Sequence, residues 1–232
     1  MRPLGIRQFQ VALRKLRQFT SRLDGPKTEL DLDGTIDKTC QNAGRLELVW
    51  ERPRENSIKV LLADGCRVVP CCPTAVCATS CLLQFTAPPT SRTCGSITFH
   101  NCIYDWLYHS SECRRNDYTD TTYLLNNLST DYRVIIVGDA SMAPSELMRQ
   151  GGVIDWDLYN DRPGLEWLRD LRRRFEYSVW LNPIPSKYWD WVEGAYTIKK
   201  INEIFPMHEL TIDGLEQAIS ALRSRQGLAR AT

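Results

Sequence analysis

The segment DYRVIIVGD at residues 131–139 does most to restrict the fold. Val134, Ile135, Ile136 and Val137 follow one another with no polar residue to turn toward water. Such a run suits a strand covered on both faces, and strands of that kind lie inside parallel sheets flanked by helices. The run stops at Gly138-Asp139, and Pro144 with Glu146 in the next turn marks a helix start.

Strand and helix patterns alternate around this segment. RLELVWE at 45–51 alternates as a strand, a turn follows at 53–56, and SIKVLLA at 57–63 reads as a buried parallel strand. Residues 97–108 (ITFHNCIYDWLY) are rich in aromatic and β-branched residues and predict a strand or hairpin. Helices are predicted at 121–128, 163–175, 195–204 and 213–223, and a strand at 177–182 is stopped by Pro183. The acidic stretch 30–37 contains Asp33-Gly34, a turn signal. Together these elements predict an α/β fold with a mainly parallel central sheet and helices on both faces. Residues 45–232 are assigned to this domain, and residues 1–44 to an N-terminal basic helix with an acidic linker. That helix, at 3–19, has Leu4, Ile6, Phe9, Leu13 and Leu16 near one face and Arg7, Arg14, Lys15 and Arg17 mostly on the other.

Charge narrows the function. Lys plus Arg number 29 against 28 Asp plus Glu, a net +1. This speaks against a surface built to hold nucleic acid or anionic membrane, and leaves the basic helix as the one nucleic-acid candidate. No apolar run approaches the roughly 20 residues of a membrane span. The first 22 residues lack the apolar core of a secretory signal, so a cytoplasmic protein is expected.

In open α/β sheets the ligand crevice lies beyond the carboxyl ends of the strands. Two predicted strands end there in aspartate, Asp64 and Asp139. Two carboxylates with hydroxyls from neighbouring loops, Ser141 and Thr121 or Thr122, suit a hard cation such as Mg2+ or Mn2+. Asp139 reads equally as a turn or cap aspartate, and Thr121 as a helix N-cap. Neither G-x-G-x-x-G nor G-x-x-x-x-G-K-[ST] occurs, and GDASM is not the G-x-S-x-G elbow of hydrolases. The histidines, His100, His109 and His208, signal no Ser–His or Cys–His device. His100 is expected to be packed in a strand, and Trp180, Trp189 and Trp191 to serve core and rim packing.

RLELVWERPRENSIKVLL, FHNCIYDWLY, DYRVIIVGDASMAP, GLEWLRDLRRRF, SVWLNPIP and IFPM resemble the bacterial CoxE-like proteins with a von Willebrand factor type A (VWA) domain. The resemblance covers nearly the whole chain except about 65–98. It implies a Rossmann-like, three-layer VWA domain with a metal-ion-dependent adhesion site. Such a site takes a D-x-S/G-x-S motif after the first central strand, a threonine from a later loop and an aspartate after a following strand. By position these fall on Asp64, Thr121 and Asp139. The implied function is non-enzymatic, cation-dependent binding of a protein partner whose acidic side chain completes the metal coordination. The partner class includes MoxR-type AAA+ ATPases acting in assembly or metal-centre maturation. Relatives carry more sequence before the basic helix, so this chain is expected to be N-terminally short.

The first motif is broken. After Asp64 come Gly65, Cys66, Arg67 and Val68, so the serines are missing. Six of the nine cysteines fall between Cys66 and Cys94, while residues 68–91 hold no charged residue or histidine and four prolines. About six charges would be expected there. The C-x4-C-x3-C spacing of Cys72, Cys77 and Cys81 matches no common zinc pattern. Codon choices exist for which VCATSC at 76–81, read two bases on, gives LCHQL. TSRTCGSIT at 90–98 can likewise hide HFKDLRQYY, leading directly into Phe99. A compensated frameshift over about residues 65–98 is the reading that follows, with the metal site impaired. A metal-assisted phosphoesterase at the same strand ends is the enzymatic alternative, and it lacks a visible general base.

Overall fold

The computed structural model describes residues 21–22, 26–51, 54–55, 60–65, 94–109, 113–114, 116–130, 132–153 and 158–223. The predicted helix at 3–19 and most of the segment suspected of a frameshift lie outside them. The described residues fall into two compact units, one within Arg17–Ile58 and one within Lys59–Thr232. The described residues 45–51 and 54–55 lie within the smaller unit.

In that unit β1 (Ser21–Arg22) pairs antiparallel with β4 (Arg54–Glu55), and β2 (Glu29–Leu30) with β3 (Trp50–Glu51). The helix α1 (Leu32–Gln41) replaces the turn expected at Asp33-Gly34. Asp31 is its N-cap and accepts from the Gly34 N–H at 3.0 Å, so the local Asp-Gly signal lies inside a capped first turn. Most of the strand predicted at 45–51 is also irregular. Its backbone is held instead by side chains of α1: Val49 N–H donates to Thr35 Oγ1 at 3.0 Å, and Glu47 N–H to Thr39 Oγ1 at 3.3 Å.

The larger unit is built on a seven-stranded sheet. Its strands are β5 (Val60–Gly65), β6 (Cys94–Phe99), β7 (Trp106–Tyr108), β8 (Tyr118–Asp120), β9 (Arg133–Val137), β10 (Ser178–Asn182) and β11 (Met207–Glu209), in the spatial order β8-β7-β6-β5-β9-β10-β11. From β6 through β5, β9 and β10 to β11 all pairings are parallel, while β7 and β8 form an antiparallel edge. The chain winds outward from β5 in one direction, then returns to its other side with β9. This is the doubly wound order of dinucleotide-type α/β folds, with the switch point between β5 and β9.

Among the described residues its α-helices are α2 (Thr121–Asn127), α3 (Pro144–Met148), α4 (Gly164–Arg174), α5 (Ala195–Asn202) and α6 (Ile212–Ala221). Successive strand residues point to opposite faces, which sorts the core. Ile97, Phe99, Val134, Ile136 and Trp180 join Leu124 of α2, Leu147 of α3, Leu165, Trp167, Leu168 and Leu171 of α4, and Ile198 and Ile201 of α5 in one cluster. Ile135, Val137, Val179 and Leu181 point the other way and are equally buried. There α6 covers β10 and β11 with Leu215, Ala218, Ile219 and Leu222. The continuous apolar run of β9 is thus explained: residues on both of its faces are buried. No described helix is long and apolar enough to cross a membrane.

Candidate functional site

The parallel register places Asp64 of β5 opposite Val137 of β9, so Asp139 lies two residues further along the adjacent strand. Two residues are about 7 Å of extended chain, and neighbouring strands are about 4.8 Å apart. Both aspartates therefore stand at the carboxyl ends of the two strands that form the switch point.

The turn after β9 is closely fixed. One carboxylate oxygen of Asp139 accepts the Ser141 N–H at 3.0 Å, closing an Asx-type turn. That bears out the turn reading of Asp139; it is not a helix cap, because the residue before α3 is Ala143. Ala140 follows with φ +56°, a left-handed conformation that costs a non-glycine residue about 1 kcal/mol or more. The carbonyl of Asp139 accepts from Asn182 Nδ2 at 2.8 Å, and Asn182 Oδ1 accepts the Ile184 N–H at 2.8 Å. Gly194, at the start of α5, lies so close that a Cβ there would stand 2.4 Å from the Ser141 Cα.

Asp139 has company that sequence reading missed. Glu146, in the first turn of α3, lies near enough that its charge helps to raise the Asp139 carboxyl above the ordinary aspartate value. Burial is the larger cause, and the Ser141 N–H works in the opposite direction. Asn101, just beyond β6, donates to Glu146 Oε2 at 2.8 Å, and the Tyr104 hydroxyl donates to the Glu146 carbonyl at 3.1 Å. The carboxyl ends of β6, β5 and β9 thus bring Asn101, Asp64 and Asp139 to one edge, with Glu146 beside them. All are oxygen donors, the set a hard cation prefers. A half-buried carboxylate disfavoured mainly by burial leaves an electrostatic demand that a cation would meet. Among the described side chains no three acidic, histidine or cysteine residues converge.

Thr121 does something else. It begins α2, with Asp120 as the N-cap, and β6 and β7 stand between its strand β8 and β5. Its side chain is fully buried; its hydroxyl donates to the Tyr104 carbonyl at 2.5 Å and its N–H to the Asp105 carbonyl at 2.9 Å. The threonine expected to be a ligand is thus a fastener between α2 and the loop before β7. Thr121→Val is expected to cost about 1–3 kcal/mol in urea unfolding by leaving a buried carbonyl unpaired. The same substitution should leave Mn2+ binding unchanged.

The other singled-out residues also have definite places. Trp180 is core, Trp189 is half-buried with its Nε1–H on the Ile184 carbonyl at 2.8 Å, and Trp191 is 84% exposed, beyond rim packing. His100 lies just past β6, half-buried. Cys102 is wholly buried and its thiol is pushed up to about 12 by burial, so it is neither a nucleophile nor a ready metal ligand. Cys66 to Cys81 lie outside the described residues. Two open grooves beside α2 and α4 share Thr122, Asn126, Arg162 and Trp167, and Asp139 lines neither. Arg162 there is already engaged by Asp170 at 2.7 Å and Glu166 at 3.3 Å.

This fold defines a doubly wound α/β domain with Asp64 and Asp139 at the carboxyl ends of the two strands at its switch point. No protein-family model, curated protein or solved structure matches the chain.

Proposed function

We propose that the larger unit is a VWA-type protein-binding module whose Asp64, Asp139 and Glu146 hold Mg2+ or Mn2+ at the sheet's carboxyl edge. An acidic side chain of a partner protein completes the coordination, and no covalent chemistry follows. A MoxR-type AAA+ ATPase, acting in assembly or metal-centre maturation, is the partner class the resemblance to CoxE-like proteins supplies. The observation that carries this reading is the half-buried Asp139 beside Glu146 at the switch point between β5 and β9. The doubly wound strand order supports it, because that is where such folds bind ligands.

Binding in this chain is weak. Cys66 and Val68 stand where the D-x-S/G-x-S motif has a ligand or its neighbour, so hydroxyl oxygens are replaced by a thiol and an alkyl group. Calorimetry with Mn2+ on this chain should give a Kd on the order of a millimolar, the range of weak oxygen-ligand cation sites. A version with the inferred frame restored over 65–98 should bind at least tenfold more tightly. Equal, tight binding by both would refute the impairment, and binding by neither would refute the cation site. In a second reading Glu146 is not a ligand but the carboxylate base that a metal-assisted phosphoesterase needs. Turnover of a generic phosphoester that is lost in Asp139→Ala would favour that second reading.

A further inference from the structure

A buried hydroxyl on α5 stands out because everything it touches belongs to the turn that carries Asp139 or to the start of its own helix. Thr197 is wholly buried. Its Oγ1 accepts the Met142 N–H at 3.2 Å. Its single proton lies within reach of the carbonyls of Ala140 at 2.8 Å, Gly194 at 2.9 Å and Met142 at 3.1 Å. Across the turn, Asn182 of β10, also wholly buried, grips the Asp139 carbonyl. Between these two grips sits Ala140 in its left-handed conformation. A strained backbone persists only where its surroundings over-determine it, and such residues gather at functional sites. Ordinary helix–loop packing would need only apolar contact. Here a hydroxyl is buried where a methyl would fill the same volume.

We propose that Thr197 is a positioning residue for the cation site: it latches residues 140–142 to α5, and so keeps the Asp139 carboxylate turned onto the Ser141 N–H at the carboxyl edge of the sheet. The inference rests on the cation reading given above for its purpose, but not for its mechanics. Thr197 never reaches the cation. It acts through the backbone by holding Ala140 in a conformation an alanine would otherwise leave. A valine at 197 keeps the shape and removes both the acceptor for Met142 and the one proton within reach of the Ala140, Gly194 and Met142 carbonyls. A serine keeps both.

The test measures amide exchange by NMR on the whole chain, in native protein, Thr197→Val and Thr197→Ser. The Ser141 amide is the reporter, because its partner is Asp139 Oδ1 and not Thr197. Thr197→Val should speed Ser141 exchange at least tenfold while Ile135 and Ile136 of β9 exchange as in the native chain. Thr197→Ser should return Ser141 to within about twofold. Unchanged Ser141 protection in Thr197→Val overturns the latch, and so does equal acceleration in β9, which would mark general loosening. A second measurement follows Mn2+ broadening of the Ser141 resonance. Native broadening that weakens on the order of tenfold in Thr197→Val, and recovers in Thr197→Ser, joins latch to site. Native broadening that Thr197→Val leaves intact overturns the functional role. Absence of native broadening counts against the cation reading alone, and the exchange data then decide the latch.

Discussion

Trp180→Ala should lower the unfolding free energy by about 3–5 kcal/mol, the usual cost of truncating a buried aromatic. That is a large part of the 5–15 kcal/mol available to a typical domain. Trp180 is 1% exposed in the middle of β10, with ring centroids 6.3 Å from Phe99 and 6.0 Å from Phe205. It therefore joins the β6 side of the sheet to the segment entering β11. Its Nε1–H donates to the Gly138 carbonyl at 2.7 Å, and its ring packs where a Gly138 Cβ would stand, 3.2 Å from Cζ2. Truncation opens a cavity and strips the hydrogen bond from the residue just before Asp139. Trp180→Phe separates the two effects: most of the packing survives, the Gly138 carbonyl is left unpaired, and the expected loss is about 1–3 kcal/mol. Urea unfolding followed by far-ultraviolet circular dichroism is the suitable measurement, because the other six of seven tryptophans obscure fluorescence. A loss under 1 kcal/mol for Trp180→Ala would mean that the sheet does not depend on this contact.

The parts of the fold that were legible in sequence are those in which local pattern and burial agree. The apolar run of β9, the Pro144 start of α3 and the leucine spacing of α4 each read correctly, because the residues that form the element also bury its face. The strands β8 and β11 were not read: three residues each carry no period. At Asp33-Gly34 a turn signal lost to a cap, since Asp31, two residues earlier, satisfies the Gly34 N–H and lets the helix continue. Leu46 and Leu48 alternate as a strand would, yet both are exposed, so no buried face enforces the extended pairing.

The site divides the same way. Asp139 could be found because it follows a strand. Asn101 could not, because nothing about an asparagine after a strand end announces that a glutamate 45 positions later will accept from it. Thr197 was equally hidden, since its partners in the turn lie 55 to 57 positions away. Glu146 was visible only as an acidic residue in a first turn, a role that capping explains without any ligand.

Asp139→Asn should make the protein more stable at neutral pH in the absence of metal while removing its response to Mn2+. The Asp139 carboxyl is held above its ordinary value, first by burial and then by Glu146. The folded protein consequently keeps a proton that the unfolded chain has already released. Stability contributed through this group is highest below the ordinary aspartate pKa. It falls as pH rises through the interval up to the raised value, and above that the charged carboxylate is a standing penalty. Asparagine keeps the shape and an acceptor oxygen for the Ser141 N–H without the charge. Its unfolding free energy should therefore be flatter across that acidic interval and higher at pH 7. Mn2+ reverses the ranking. At ten times Kd it should stabilise the native chain by about 1.4 kcal/mol. The variant, having lost a direct ligand, should gain nothing measurable, a larger loss than the 10–100-fold that removal of a ligand's supporting partner costs. Paired urea titrations at pH 4, 5.5 and 7, with and without Mn2+, test both halves. A variant less stable than the native chain at pH 7 without metal would show that the Asp139 charge is satisfied by the protein itself. In that case the acidic edge makes no demand for a cation, and the protein-binding reading loses the electrostatic reason on which it stands.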